Sequence, residues 1–153
     1  MSVAFRRESD EEHLEPKFAQ PIPPGPNLVT AAGMAQIEAQ AVRLEAELGA
    51  ASDEAAITAL KRDLKYWQAR RASAEIQPPA SGAKVEFGTR VRFLLKGTAR
   101  TVEIVGSDEA DPAHVRLAFT APLARALMGA EAGEALDFNG AEGAIEVLGI
   151  EVL

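Results

Sequence analysis

At 153 residues the chain has room for one ordinary domain or two small ones, and its 47% hydrophobic and 25% charged residues are globular values. It has no cysteine, which excludes disulfides, thiolate nucleophiles and thiolate metal sites and fits a reducing, cytoplasmic setting. The formal charge of −7 argues against nonspecific binding to duplex DNA, whose affinity rests on Lys and Arg neutralising phosphates.

No apolar run approaches the roughly 20 residues that cross a bilayer, and the N-terminus turns acidic after Arg6 and Arg7 without the apolar stretch of a secretory signal. Residues 1–26 hold five of the nine prolines and an acidic cluster from Glu8 to Glu15. Proline removes backbone donors and blocks helix interiors, so this segment is expected to be a disordered tail, either a solubilising leader or an arm that orders on a partner. The two histidines, His13 and His114, lie on different segments, and no histidine metal site or other cofactor is expected.

Thr30 can cap a helix whose apolar residues are Met34, Ile37, Ala41, Leu44 and Leu48. Their alternating steps of three and four make a coiled-coil seam. Gly49 is expected to end the helix in the left-handed conformation. Ser52 is expected to cap a second helix, with Asp53 and Glu54 in its first turn, where the dipole favours acids. Its seam is Ile57, Leu60, Leu64 and Trp67, and Pro78-Pro79 ends it. Two seams of equal period joined by about four residues fold back on each other, which predicts an antiparallel helical hairpin over 27–76. Helix one, at roughly 18 residues, would project about 27 Å. Glu38, Glu45 and Glu47 on helix one face Lys61, Arg62, Lys65, Arg70 and Arg71 on helix two, either as cross-hairpin salt bridges or as a basic face for an acidic partner. Arg62, Lys65, Tyr66 and Arg70 are the residues proposed for that contact face, with Tyr66 off the seam and exposed.

Residues 77–83 read as a linker. From Lys84 the period changes to two: Val85 and Phe87, then Val91, Phe93 and Leu95, alternate with polar residues across Gly88, as in a bent, half-buried strand. Gly97 is a turn, Thr101 to Val105 a second strand, 106–112 a polar loop, and Val115, Leu117 and Phe119 a third strand. Pro122 can start a short helix to Met128. Residues 135–138 and 144–152 close the domain, with Ile145, Val147 and Ile150 as core. The predicted class is α+β, a short coiled-coil hairpin followed by a β-rich domain over 84–153 with one short helix.

No Gly-rich phosphate loop or nucleophile motif is present. Two acidic groups could bear on chemistry. Asp108, Glu109 and Asp111 could hold a divalent cation or simply form a hydrophilic turn. Asp53 and Glu54, at the hairpin tip, could serve a metal or water elsewhere, or only the helix dipole.

Three stretches, KVEFGTRVRF at 84–93, IVGSDEAD at 104–111 and APLARALMGAEAGE at 121–134, together resemble the C-terminal domain of the bacterial GreA/GreB transcript-cleavage factors. NLVTAAGMAQIE at 27–38 is similar to the start of that family's N-terminal domain. The resemblance implies an FKBP-like domain that grips the rim of the RNA polymerase secondary channel. The contact there is a coiled-coil element of the largest catalytic subunit, and a helical hairpin is directed along the channel. The docking segment maps to Thr120, Ala121, Pro122 and Leu123, with Arg125 beside it; Thr120 and Ala121 replace the family's acid and serine. The acidic tip motif is missing, and each arm is shorter by roughly ten residues, about 15 Å of reach. The implied role is therefore a monomeric, non-enzymatic regulator of transcription elongation without cleavage stimulation, with DNA binding or other nucleic-acid contact only through polymerase. Alternatives are an active cleavage factor using Asp53 and Glu54, a regulator of another enzyme such as a nucleoside diphosphate kinase, and a prolyl isomerase built around Phe87, Phe93, Phe119 and Phe138.

Overall fold

The computed structural model describes residues 19–153; His13 and the first part of the predicted tail lie outside the described residues. Strand β1 (Asn27–Val29) leads into helix α1 (Ala31–Ala50), helix α2 (Glu54–Ser73) and strand β2 (Ala74–Ile76). Then come β3 (Thr89–Leu95), β4 (Thr98–Val105), a 3-10 turn at Pro112–His114, β5 (Arg116–Ala118), α3 (Pro122–Leu127), β6 (Ala135–Phe138) and β7 (Ala141–Val152). The class is α+β, as the sequence predicts.

Thr30 caps α1 by accepting from Gly33 N at 2.9 Å. The predicted seam faces inward: Ala41, Leu44 and Leu64 form its buried centre, with Leu48, Leu60 and Trp67 packed around it. Three boundaries differ from expectation. Gly49 remains inside α1, which ends at Ala51 in an extended conformation, so no left-handed glycine is used. Asp53, not Ser52, caps α2, accepting from Ala56 N at 3.0 Å. And α2 stops at Ser73, before the prolines, because residues 74–76 leave the helix to pair in parallel with 27–29. That two-stranded ribbon ties the entry and exit of the hairpin together, extended by Gln77 N bonding Val29 O at 2.9 Å.

The larger sheet has the order β5-β4-β3-β7-β6, antiparallel except for the β4–β5 pair. Thr89, Val91 and Phe93 point inward while Arg92 points out, the period-two pattern of a sheet with one buried face. Lys96-Gly97 and Asn139-Gly140 are two-residue hairpin turns with positive φ at both positions, which suits asparagine and glycine and matches the strand twist. Val85, Val91, Phe93, Ile104, Ile145 and Val147 form the core with Ala124 and Leu127 of α3. The third predicted strand is shorter than expected. Val115 sits at φ 55 and is 49% exposed, so it turns out to solvent before β5 begins.

Candidate functional site

Pro122 occupies the first turn of α3, where its fixed φ suits the helix and its missing N–H costs nothing. Ala124 and Leu127 anchor this helix in the core, which holds Thr120, Pro122 and Arg125 at the surface. Ala121 and Leu123 are half-buried and pack against that core. Beside them opens a cleft of about 340 Å³ lined by Val102, Val115, Leu117, Leu123, Arg100 and Arg116. Val115 rims it from a left-handed backbone conformation that a β-branched residue seldom adopts. Its backbone is held there by Glu103 N donating to its carbonyl at 2.8 Å. The predicted docking segment is thus a firmly mounted surface with an apolar cleft flanked by two guanidinium groups. Arg116 lies 3.6 Å from Glu103, and Glu103 also takes two bonds from Arg90.

At the hairpin tip Asp53 and Glu54 are both exposed. One carboxylate oxygen of Asp53 is engaged as the helix cap. Among the described residues, no group of three or more His, Asp or Glu side chains is placed to hold a metal ion.

The loop acids behave differently from either expectation. Asp108 is drawn into the molecule, with its side chain only 8% exposed. Its Oδ1 accepts from the Tyr66 hydroxyl and its Oδ2 from Arg70 Nε at 2.6 Å. Arg70 Nη2 donates in turn to Asn27 Oδ1 at 2.7 Å, and Asn27 Nδ2 donates to the Arg70 carbonyl at 2.9 Å. Burial first, and then the bond to Asp108, push the Tyr66 hydroxyl's ionisation far above its ordinary value. Glu109 accepts from Thr30 Oγ1 at 2.5 Å, beside the N-terminus of α1 where an acid is favoured. Asp111 caps the 3-10 turn, and the adjoining His114 ring, with help from the Ala113 N–H, holds its carboxyl below the usual range. The three acids are engaged by separate sets of partners and do not converge as a cation site.

This corrects the hairpin contact face. Tyr66 and Arg70 are 4% and 2% exposed. They are one turn apart on the side of α2 that meets the 106–111 loop, so neither is available to a partner. Lys65 is exposed and Arg62 half-buried beside Asp63 at 3.2 Å. Arg71 pairs across the hairpin with Glu45 at 3.7 Å. Trp67 packs on the seam as expected and meets Tyr66 edge-on, with ring centroids 5.1 Å apart. Of the four phenylalanines in residues 84–153, Phe93 is fully buried and Phe87 packs edge-on against Phe119.

Residues 80–152 match the family model described as transcription elongation factor, GreA/GreB, C-terminal. Residues 80–152 thus carry a GreA/GreB C-terminal domain. Among curated relatives, a protein named transcription elongation factor GreA from Sinorhizobium medicae (strain WSM419) is 39% identical over 75 residues. That match takes in 46% of this chain and 48% of the relative. A protein of the same name from Agrobacterium fabrum is 36% identical over 75 residues, with the same shares. The chain therefore aligns with about half the length of the curated relatives it matches. Among solved structures, the GreA factor homolog 1 (Gfh1) protein of Thermus thermophilus aligns at 19% identity and a TM-score of 0.38, covering 83% of this chain and 99% of that one. A GreA/GreB factor from Nitrosomonas europaea aligns at 19% and 0.39, covering 83% and 98%. These whole-chain likenesses are loose, and the family assignment rests on the GreA/GreB domain.

The expected docking residues were read from a family motif in the sequence. The Asn27–Tyr66–Arg70–Asp108 cluster was missed. Its one sequence signal was Asp108 inside a motif loop.

Proposed function

We propose that this chain is a non-enzymatic regulator of transcription elongation that binds RNA polymerase through its GreA/GreB domain. The contact is the Thr120–Leu123 segment, with Arg125 and the adjoining Val115–Leu123 cleft, against the coiled-coil element of the largest subunit at the secondary-channel rim. The observation that carries this reading is the family match over 80–152 on a domain whose Thr120, Pro122 and Arg125 are held outward by a core-anchored helix. Nucleic acid is met only through polymerase, in keeping with the net charge of −7.

The hairpin acts by occupying the channel rather than by stimulating RNA cleavage. Each arm has 20 residues, about 30 Å at helical rise. Asp53 is engaged in capping from an extended residue just outside α2, and among the described residues no acid or histidine completes a three-ligand group with it and Glu54. Lys65 and Arg62 remain as the contact face toward the channel wall.

Retention of the chain on immobilised core polymerase, with displacement by a GreA factor, tests the docking. No retention at micromolar concentration refutes it. Stalled, backtracked elongation complexes test the second part: transcript shortening that depends on this chain and is lost in Asp53→Ala/Glu54→Ala would show an active cleavage factor instead.

A further inference from the structure

Among the described residues, the apolar clusters of the hairpin and of the GreA/GreB domain share no residue. The side-chain hydrogen bonds between them gather at one place. On the domain side one short loop supplies Asp108 and Glu109. On the hairpin side Thr30, Tyr66 and Arg70 meet it, and Arg70 bonds Asn27 in turn.

Asp108 is the member of this junction with a directional demand. Its two oxygens take one bond each from Tyr66 and Arg70, residues one turn apart on the same face of α2. Two parallel bonds to one helix face fix both its tilt and its rotation, as a single contact cannot. Arg70 passes the constraint on to Asn27 in β1, so both ends of the hairpin are held by one carboxylate. The junction is dry: Arg70 and Asp108 side chains are 3% and 8% exposed, which keeps water from competing for these bonds.

We propose that Asp108 is a positioning residue that sets the direction in which the hairpin leaves the GreA/GreB domain. Its importance for polymerase rests on the docking reading above, since direction matters to a hairpin that must enter a channel. The geometric claim itself can be tested without polymerase. Asn at 108 keeps the shape of the side chain but offers one acceptor oxygen instead of two, so either Tyr66 or Arg70 loses its partner.

The chain has no cysteine, so spin labels can be placed at will. One pair, Ser52→Cys with Glu142→Cys, spans hairpin tip and domain. A second, Ser52→Cys with Ala72→Cys, lies within the hairpin. The parent is expected to show one narrow distance for each pair. Asp108→Asn should broaden or shift the first distance and leave the second unchanged. A tilt of about 20° moves the tip of a 30 Å hairpin by about 10 Å. Tyr66→Phe should give the same change with smaller amplitude. An unchanged tip-to-domain distance in Asp108→Asn overturns the proposal. So does loss of the within-hairpin distance, which would make Asp108 a folding residue only.

Polymerase supplies the second arm. Asp108→Asn should be retained within about two-fold of the parent, because the docking surface is intact, yet lose its effect on elongation. Retention and effect both equal to the parent would refute the positioning role. If the parent itself is not retained, the docking reading falls while the distance result still stands or fails alone.

Discussion

Gly106 opens the 106–111 loop, and a Cβ built on it would overlap the carbonyl oxygen of Leu28 in β1. Gly106→Ala tests whether that close approach is a constraint on the native state. Its φ is not in the left-handed region, so alanine meets no backbone strain and the cost is purely steric. Reaching ordinary van der Waals separation needs a shift of about 1 Å. The obstacle is main chain, which cannot rotate aside as a flexible side chain does. β1 is also pinned, by Asn27 to the Arg70 carbonyl at 2.9 Å, by Arg70 to Asn27 at 2.7 Å and by Gln77 to Val29 at 2.9 Å. Overpacking of this kind costs about 1–3 kcal/mol, and stretching one or two of those bonds adds about 1 kcal/mol, for a total near 3 kcal/mol. For a chain of this size that lowers the melting temperature by roughly 6–12 °C. Gly97→Ala is the control: it meets open space but sits at φ +81, so its cost is conformational, about 1–2 kcal/mol. Both are measured by urea denaturation followed by circular dichroism. If Gly106→Ala comes within about 0.5 kcal/mol of the parent, the strand does not need the bare loop backbone and the reasoning is wrong.

Tyr66→Phe removes a hydroxyl bonded to a buried carboxylate and should cost about 1.5 kcal/mol at neutral pH. Because folding raises this hydroxyl's pKa, its stabilisation is complete below about pH 10 and is lost above it, as the unfolded chain releases the proton first. The parent's advantage over the variant should therefore hold from pH 6 to 9 and shrink above 10; an advantage that stays level through pH 11 contradicts the assignment. Asp53→Ala should lower stability by about 1 kcal/mol through loss of the α2 cap, and Asp53→Ser should restore most of it. Arg125→Glu changes an exposed side chain, so its melting temperature should match the parent while retention on core polymerase falls. Val115→Gly relieves a left-handed β-branched residue and should leave stability within about 1 kcal/mol, yet weaken the same retention by emptying one rim of the cleft.

The seams of α1 and α2 were legible because a coiled coil writes its contacts at fixed spacing: Ile37, Ala41, Leu44 and Leu64 are buried where the period puts them. The strands were legible for the same reason with period two, and Val91, Phe93, Ile145 and Val147 are core. What periodicity does not carry is pairing between distant short segments. The three residues of β1 and the three of β2 have no pattern long enough to read, and their partnership depends on the hairpin bringing 27–29 beside 74–76. Charge misled for a related reason. Arg70 and Asp108 read as solvent residues one at a time, since a lone buried charge is too costly. Their burial becomes reasonable only once each is known to face the other at 2.6 Å, across a sequence separation that no local rule spans. The expected docking segment was read from motif alone, and the structure adds how its residues divide between surface and core.

The ribbon of β1 and β2 closes the hairpin at its base, where both chain ends leave side by side, while the tip lies at the far end of the coiled-coil seam. Grip and reach are therefore separate quantities in this architecture. Adding one heptad to each arm would lengthen the probe by about 10 Å without touching Asn27, Arg70 or Asp108. A lineage, or a designer, can set the depth of the probe by whole heptads while its aim is inherited unchanged from the base.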